Sequence, residues 1–286
     1  MAHQLGGFYD LPHGECNAIL LPHVEKFNLI ACIDRLAYLA KLIGEPVEGV
    51  SNRVAADMGL ATAITPCPSC LTNLRTANHR MGKPAFGEAV NKLLDSPYTG
   101  GVDAKSVLQA LTEDVGLDNL KAAVRTPLNG LKVACYYGCI MNRPPELMAF
   151  DDCECPMAMD NILTAMGATV VPFPLKVECC GASYGTPRPD VVARLSGKLL
   201  AAAVDVGADM VTVACPLCQM NLDLRQGQIN RALGTRFRMP VPYYTQLMGM
   251  ALNIEEAQLG FDKLCIDPRP VINKALTGPA AQAKGA

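Results

Sequence analysis

Five cysteines constrain the fold of this chain more than any other feature. They are Cys139, then Cys179-Cys180 after 39 intervening residues, then Cys215-Pro-Leu-Cys218 after 34 more. Their flanks carry the fold signal. Leu131-Lys-Val-Ala-Cys-Tyr136 is a short apolar, β-prone run that ends at Gly138-Cys139. Pro156 to Gly167 reads as a helix, with Met159, Ile162, Leu163 and Met166 at helical spacing. Ala168 to Phe173 reads as the next strand, and Glu178-Cys-Cys-Gly181 follows it as a loop. A helix opened by Thr186-Pro-Arg-Pro-Asp190 runs to Gly207, and Met210 to Ala214 is a buried-type strand ending at Cys215. Met220 to Leu233 completes the pattern as a helix. Strands alternating with helices imply parallel pairing through crossover connections. In such sheets the strand carboxyl ends share one edge, where ligands gather. The expected fold class is therefore α/β, and the scattered cysteines are expected to converge at that edge.

Thiols in this pattern point to a soft metal or to redox chemistry. Iron–sulfur clusters are held by thiolates, and a Cys-x-x-Cys turn lets two of them reach one cluster. An adjacent Cys-Cys pair needs a bend before both side chains can converge, because neighbours in an extended segment point to opposite faces. Gly181 supplies that bend at low steric cost. Five thiols exceed the four of an ordinary cubane, so the count implies an unusual cluster or a cubane with one spare thiol. Two other readings stay open on the residues alone. Cys215-Pro-Leu-Cys218 also suits a thioredoxin-type dithiol, and four of the five could form a zinc site, although structural zinc more often shows two Cys-x-x-Cys pairs.

Composition narrows the compartment and partners. The 286 residues include 13 cysteines, an odd count that complete intramolecular pairing cannot satisfy. The amino-terminal sequence lacks a positive start followed by an apolar run, so no secretory signal is read and a cytoplasmic location is expected. There, clustered cysteines are more often metal ligands than disulfides. A formal net charge of −2 gives no electrostatic case for nucleic acid, which usually needs a basic face. No stretch of 18 residues is free of charged or strongly polar side chains, so no membrane span is expected.

The earlier part repeats the motif at lower contrast. Ala56 to Ile64 leads to Thr65-Pro-Cys67-Pro-Ser-Cys70 and a helix-like run from Leu71 to Met81. This copies the passage from Val206 to Cys218 and looks like the tail of an internal repeat. Residues 98 to 130 read as a connection containing a helix candidate, Ala104 to Val115. The last dozen residues are small and polar and are expected to fray. Cys135 lies four residues before Cys139 on a strand and reads more readily as a buried core thiol. Cys153 and Cys155 flank Glu154 in a loop as a candidate extra pair, and Cys265 has no assigned role.

At these residues a family resemblance emerges. Tyr136-Tyr-Gly-Cys139, Glu178-Cys-Cys-Gly-Ala182 and Ala214-Cys-Pro-Leu-Cys218 resemble the cysteine-rich CCG domain of the B-type subunit of heterodisulfide reductase. Asn142-Arg-Pro-Pro145, Met159-Asp160 and Asn221-Leu-Asp-Leu-Arg225 extend the resemblance, which covers about residues 55 to 265. It implies a noncubane [4Fe-4S] cluster held by Cys139, Cys179, Cys180, Cys215 and Cys218, which match the second of two such domains. Cys67 and Cys70 match only the closing Cys-x-x-Cys of the first. The resemblance further implies reduction of a disulfide substrate, with electrons arriving from a cubane iron–sulfur subunit and a flavin-bearing subunit. This chain itself lacks a ferredoxin cysteine run and any Gly-x-Gly-x-x-Gly. An alternative use of the same domain is electron transfer in a 2-hydroxyacid oxidase or respiratory complex. A third is a fusion or truncation product without complete catalysis.

The amino-terminal region departs from that family. Met1-Ala-His3-Gln-Leu-Gly, Leu11-Pro-His13-Gly and Asn17-Ala-Ile-Leu-Leu-Pro-His23 resemble part of an iron-containing (group III) alcohol dehydrogenase. Only His13 matches an iron ligand of that family, so alcohol oxidation is not expected. The resulting organisation is a dehydrogenase-like fragment over 1–54, an incomplete first CCG domain with connector over 55–129, a second CCG domain over 130–270 and a flexible tail over 271–286. Cys16 and Cys32, in the first fragment, are not nominated as ligands.

Overall fold

The computed structural model describes residues 62–92 and 103–277. His3, His13, His23, Cys16, Cys32 and the join between the two resemblances near residue 53 lie outside the described residues, as does the tail beyond residue 277. The chain divides into two units. One comprises Met1–Thr65 with Ser69–Ser106, and the other Pro66–Pro68 with Val107–Ala286.

In the first unit, β1 (Thr62–Thr65) pairs in parallel with β2 (Asp103–Ser106), Thr62 opposite Asp103. The helix α1 (Pro68–Met81) follows β1, and its Arg75 donates from Nε to the Ala104 carbonyl at 2.8 Å. Here the sequence expectation needs correction. The candidate helix over 104–115 begins as strand β2, and helical turns start only at Val107. The physical reason is pairing: β1 leaves an open edge, and the alternating exposure of Asp103-Ala-Lys-Ser106 suits a strand.

In the second unit a three-stranded parallel sheet has the order β4-β3-β5. These are β3 (Lys132–Tyr136), β4 (Thr169–Val170) and β5 (Met210–Val213). Val133 lies opposite Val170 on one side and Met210 on the other. The expected strand over 168–173 is cut to two residues because Pro172 has no N–H to give the ladder, though Val171 still donates to the Val133 carbonyl at 3.0 Å. Beyond β5, the Pro240 and Pro242 carbonyls accept from Val211 and Val213, so a proline-bearing segment lines that edge.

Side chains alternate across the sheet and build two core layers. Val133, Cys135 and Tyr137 pack with α2 (Ala158–Ala165) and α6 (Tyr244–Ala251) on one face. Ala134 and Tyr136 pack with α3 (Pro189–Asp205) and α5 (Gln226–Leu233) on the other. The layering is that of an α/β sandwich with helices on both faces. Between β5 and α5 lie α4 (Pro216–Gln219) and a π-helical turn, Met220–Leu224, so the expected single helix from Met220 is interrupted. Among the described residues no helix is long and apolar enough to cross a membrane.

Candidate metal centre

Three loops deliver the five cysteines to the carboxyl edge of the three-stranded sheet. Cys139 leaves β3, Cys215 and Cys218 bracket the turn from β5 into α4, and Cys179 with Cys180 precedes the short 3-10 turn Ala182–Gly185. The loops are laced together by the backbone. Tyr137 and Gly138 both donate their N–H groups to the Lys176 carbonyl, at 2.9 and 3.0 Å. The Tyr136 hydroxyl donates to the Glu178 carbonyl at 2.7 Å, one residue before Cys179. The Ser196 hydroxyl, fully buried on α3, donates to the Cys180 carbonyl at 2.8 Å.

Two glycines make the approach possible. Gly138 has φ +77°, and a Cβ there would stand 2.9 Å from Cys218 Sγ. Gly181 has φ +98°, and a Cβ would meet Val192 Cγ2 at 2.8 Å and its Cα at 3.0 Å. Both positions hold a left-handed backbone that side-chain-bearing residues rarely adopt. This is how the adjacent Cys-Cys pair gets its bend.

The sulfurs interact as a chain. Cys180 Sγ and Cys218 Sγ lie 3.7 Å apart, hydrogen bonded and well outside disulfide length. The hydrogen bond with Cys218 draws the Cys180 thiol down to about 6, against its burial, with help from Asn221. Asn221 Nδ2 donates to Cys180 Sγ at 3.5 Å and to the Ala182 carbonyl at 2.9 Å. The hydrogen bond with Cys218 likewise lowers Cys215, while the hydrogen bonds with Cys180 and Cys215, and then burial, raise Cys218. At the other end burial and then the Cys179 charge push Cys139 up to about 12, with Cys180 adding to the effect. Cys139, Cys180, Cys215 and Cys218 thus each feel a neighbouring thiol, and none of the five is in a disulfide.

These thiols fit a thiolate-held metal group. Two thiolates on one tetrahedral metal, with bonds of about 2.3 Å as for zinc, sit about 3.8 Å apart. The Cys180–Cys218 separation of 3.7 Å matches. Among the described residues no three His, Cys, Asp or Glu side chains converge on a single ion. A group with several metal atoms spreads its ligands more widely, and five thiols exceed the four of a zinc site.

Other predicted cysteines lie elsewhere. Cys135 is fully buried on the opposite face of the sheet from Cys180, Cys215 and Cys218. Burial and then the Asp160 carboxylate raise its pKa, as befits a core thiol. Cys153 and Cys155 sit in a loop folded by Asp151 and Asp152, whose carboxylates accept the backbone N–H groups of Asp152, Glu154, Cys155, Met157 and Ala158. Cys265 is exposed, and its N–H donates to buried Asp223 at 2.7 Å. Cys67 groups with the second unit, and its charge is a minor upward influence on Cys215. Cys70 belongs to the first unit.

Sequence reasoning assigned no part to several polar residues around the loops. Asp160 accepts from the Tyr137 hydroxyl at 2.6 Å and from Lys176 Nζ at 2.6 Å, a pair that is almost fully buried. Lys176 also donates to the Pro156 carbonyl at 2.9 Å. Tyr243 flanks the site, its phenol pushed up to about 12 by burial first and then by the Cys215 charge. The signal for Asp160 and Asn221 lay in the extended motif, whereas Lys176 and Tyr243 carried none.

A parallel-sheet α/β unit with clustered thiols at its carboxyl edge defines a cysteine-rich redox protein. Comparisons with known proteins narrow this. The family described as "Cysteine-rich domain" (CCG) matches residues 133–223. The membrane anchor subunit of the 8-methylmenaquinol:fumarate reductase of Wolinella succinogenes is 32% identical, over 82% of this chain and 81% of that protein. The B-type subunit of the ferredoxin:CoB-CoM heterodisulfide reductase of Methanosarcina mazei is 31% identical, over 75% of this chain and 71% of that protein. The chain belongs to the family of heterodisulfide reductase B-type subunits, and is an iron–sulfur subunit of the oxidoreductase, electron-transfer class. A second family, "Fe-containing alcohol dehydrogenase family, C-terminal", matches residues 1–78. In that region 1,3-propanediol dehydrogenase of Klebsiella pneumoniae is 55% identical, over 23% of this chain and 16% of that protein. A hypothetical protein from Helicobacter pylori shares the fold, with a TM-score of 0.53, 13% identity, and coverage of 68% of this chain and 36% of its own.

Proposed function

We propose that this chain is the iron–sulfur subunit of a heterodisulfide-reductase-like complex, and that Cys139, Cys179, Cys180, Cys215 and Cys218 hold one noncubane [4Fe-4S] cluster in a domain spanning about 130–270. The carrying observation is geometric: three loops bring these cysteines to one sheet edge, where Cys180 Sγ lies 3.7 Å from Cys218 Sγ and Gly138, next to Cys139, packs against Cys218 Sγ. When bound, the cluster would supply electrons and an iron position open to sulfur. The protein supplies the rest. The thiolates neutralise the metal's charge, the Tyr136 and Asn221 hydrogen bonds hold their loops, and the burial of Cys180, Cys215 and Cys218 excludes water. The overall reaction is reduction of a disulfide by two electrons and two protons to two thiols. The electrons come from a cubane iron–sulfur subunit and a flavin-bearing subunit of the same cytoplasmic complex.

The test is anaerobic purification with measurement of iron, sulfide and the EPR signal. The wild-type chain is expected to carry several irons and a matching amount of sulfide. Cys179→Ser with Cys180→Ser is expected to lose both. A signal unchanged in that variant would sink the ligand assignment.

A second reading has its own observation. The 32%-identical Wolinella protein is named for a menaquinol:fumarate reductase. The same domain would then pass electrons within a respiratory complex without meeting a disulfide. Disulfide-dependent reoxidation of the reduced chain favours the first reading, and its absence favours the second.

A further inference from the structure

On the edge of the sheet opposite the cysteines lies a cleft of about 970 Å³. It is formed by the start of β3, the end of α3, the segment 235–240 and α7 (Arg269–Thr277). Its walls carry Lys132, Arg236, Arg238 and Lys274, and its apolar lining includes Phe237 and Val204, the latter 52% exposed. All four cations are exposed, and the ion pairs among the described residues do not include them. The one carboxylate in the lining, Asp209, accepts the Lys132 backbone N–H at 2.8 Å. A chain of net charge −2 therefore gathers four positive side chains around one apolar-floored cleft.

We propose that this cleft is an assembly surface that takes an acidic segment of a partner protein, a reading that rests on the multisubunit role above. Three observations favour a peptide segment. The cations come from three separate elements rather than converging on one point, which suits charges spaced along a chain better than a compact anion. The apolar floor offers burial to alternate apolar side chains of an extended segment. The cleft also lies at the strands' amino ends. With a rise of about 3.3 Å per residue, β3 alone sets it about 13 Å back from the loop that carries Cys139. An occupant there leaves the carboxyl edge open to substrate and incoming electrons. The chain's own tail does not complement the cleft, because Gly278–Ala286 has Lys284 and no acidic side chain.

The experiment uses the full-length chain and a fluorescein-labelled short peptide of glutamates with leucine at every third position. Binding is read by fluorescence polarisation, with iron content measured on the same sample. Binding is expected at low salt and is expected to weaken at least about tenfold near 1 M salt, where screening acts within about 3 Å. The Arg236→Glu, Arg238→Glu, Lys274→Glu variant is expected to lose at least about tenfold in affinity with its iron content unchanged. The Arg231→Glu, Lys263→Glu control is expected to bind like wild type. If charge reversal impairs folding by circular dichroism, the corresponding Gln variant replaces it and is expected to show the same direction. No binding, equal binding by the cleft variant, displacement by millimolar inorganic phosphate, or cleft-dependent self-association by light scattering would each overturn the proposal. Loss of iron from the wild-type chain would instead strike the cluster reading and leave the peptide result standing.

Discussion

Two Cys-Pro-x-Cys turns in this protein share their local design and differ in their surroundings. Cys67-Pro-Ser-Cys70 leads from β1 into α1, and Cys215-Pro-Leu-Cys218 leads from β5 into α4. In both, proline opens the helix, where its missing N–H costs nothing. The second pair is buried and has Cys180 against it, with Asn221 reaching over from a π-helical turn. The first pair is half-buried, and its two cysteines fall in different units. A tight dithiol turn is therefore a common local device. What sets the second apart is the convergence of other loops upon it.

The largest expected effect tests that contrast directly. Cys215→Ser with Cys218→Ser is expected to abolish iron and sulfide binding, whereas Cys67→Ser with Cys70→Ser is expected to leave most of both, as read by elemental analysis and EPR. A comparable loss in both would place Cys67 among the ligands and dissolve the distinction.

Next in size is the buried pair that braces the second turn's neighbours. Asp160→Asn strands the Lys176 ammonium, whose side chain is only 14% exposed. It is expected to cost about 3–5 kcal/mol in urea unfolding. Replacing both partners, with Asp160→Leu and Lys176→Met, is expected to recover much of that loss because no uncompensated charge remains. Equal losses in single and double variants would remove the ion pair from the account.

The smallest effect sits at the bend. Gly181→Ala strains the positive-φ backbone and crowds Val192. A cost of about 1–3 kcal/mol is expected, with reduced iron occupancy because Cys179 and Cys180 are displaced. A stable variant with full iron would show that the Cys-Cys pair reaches the site by another route.

Much of this was legible in the residues. Runs such as Leu131–Tyr136 and Met210–Ala214 fell within a residue or so of the observed strands, since short buried strands are written as continuous apolar stretches. Parallel order followed from the intervening helices. Less legible were segments where local preference and partner disagreed. Asp103–Ser106 has little strand propensity and became β2 because β1 offered it an edge. The run from Met220 scanned as one helix, yet it widens to π geometry over the residues that place Asn221 near Cys180.

By itself the sequence determined which thiols are available, the turn that pairs Cys215 with Cys218 and the glycine that lets Cys179 and Cys180 bend together, because these depend on neighbours in the chain. Only the tertiary structure decided that Cys135 faces the other core layer, that Lys176 meets Asp160 beneath the site, and that four exposed cations ring one cleft. Those outcomes depend on contacts between residues far apart in sequence, and such contacts are set by how the helices and loops pack on the two faces and edges of the sheet.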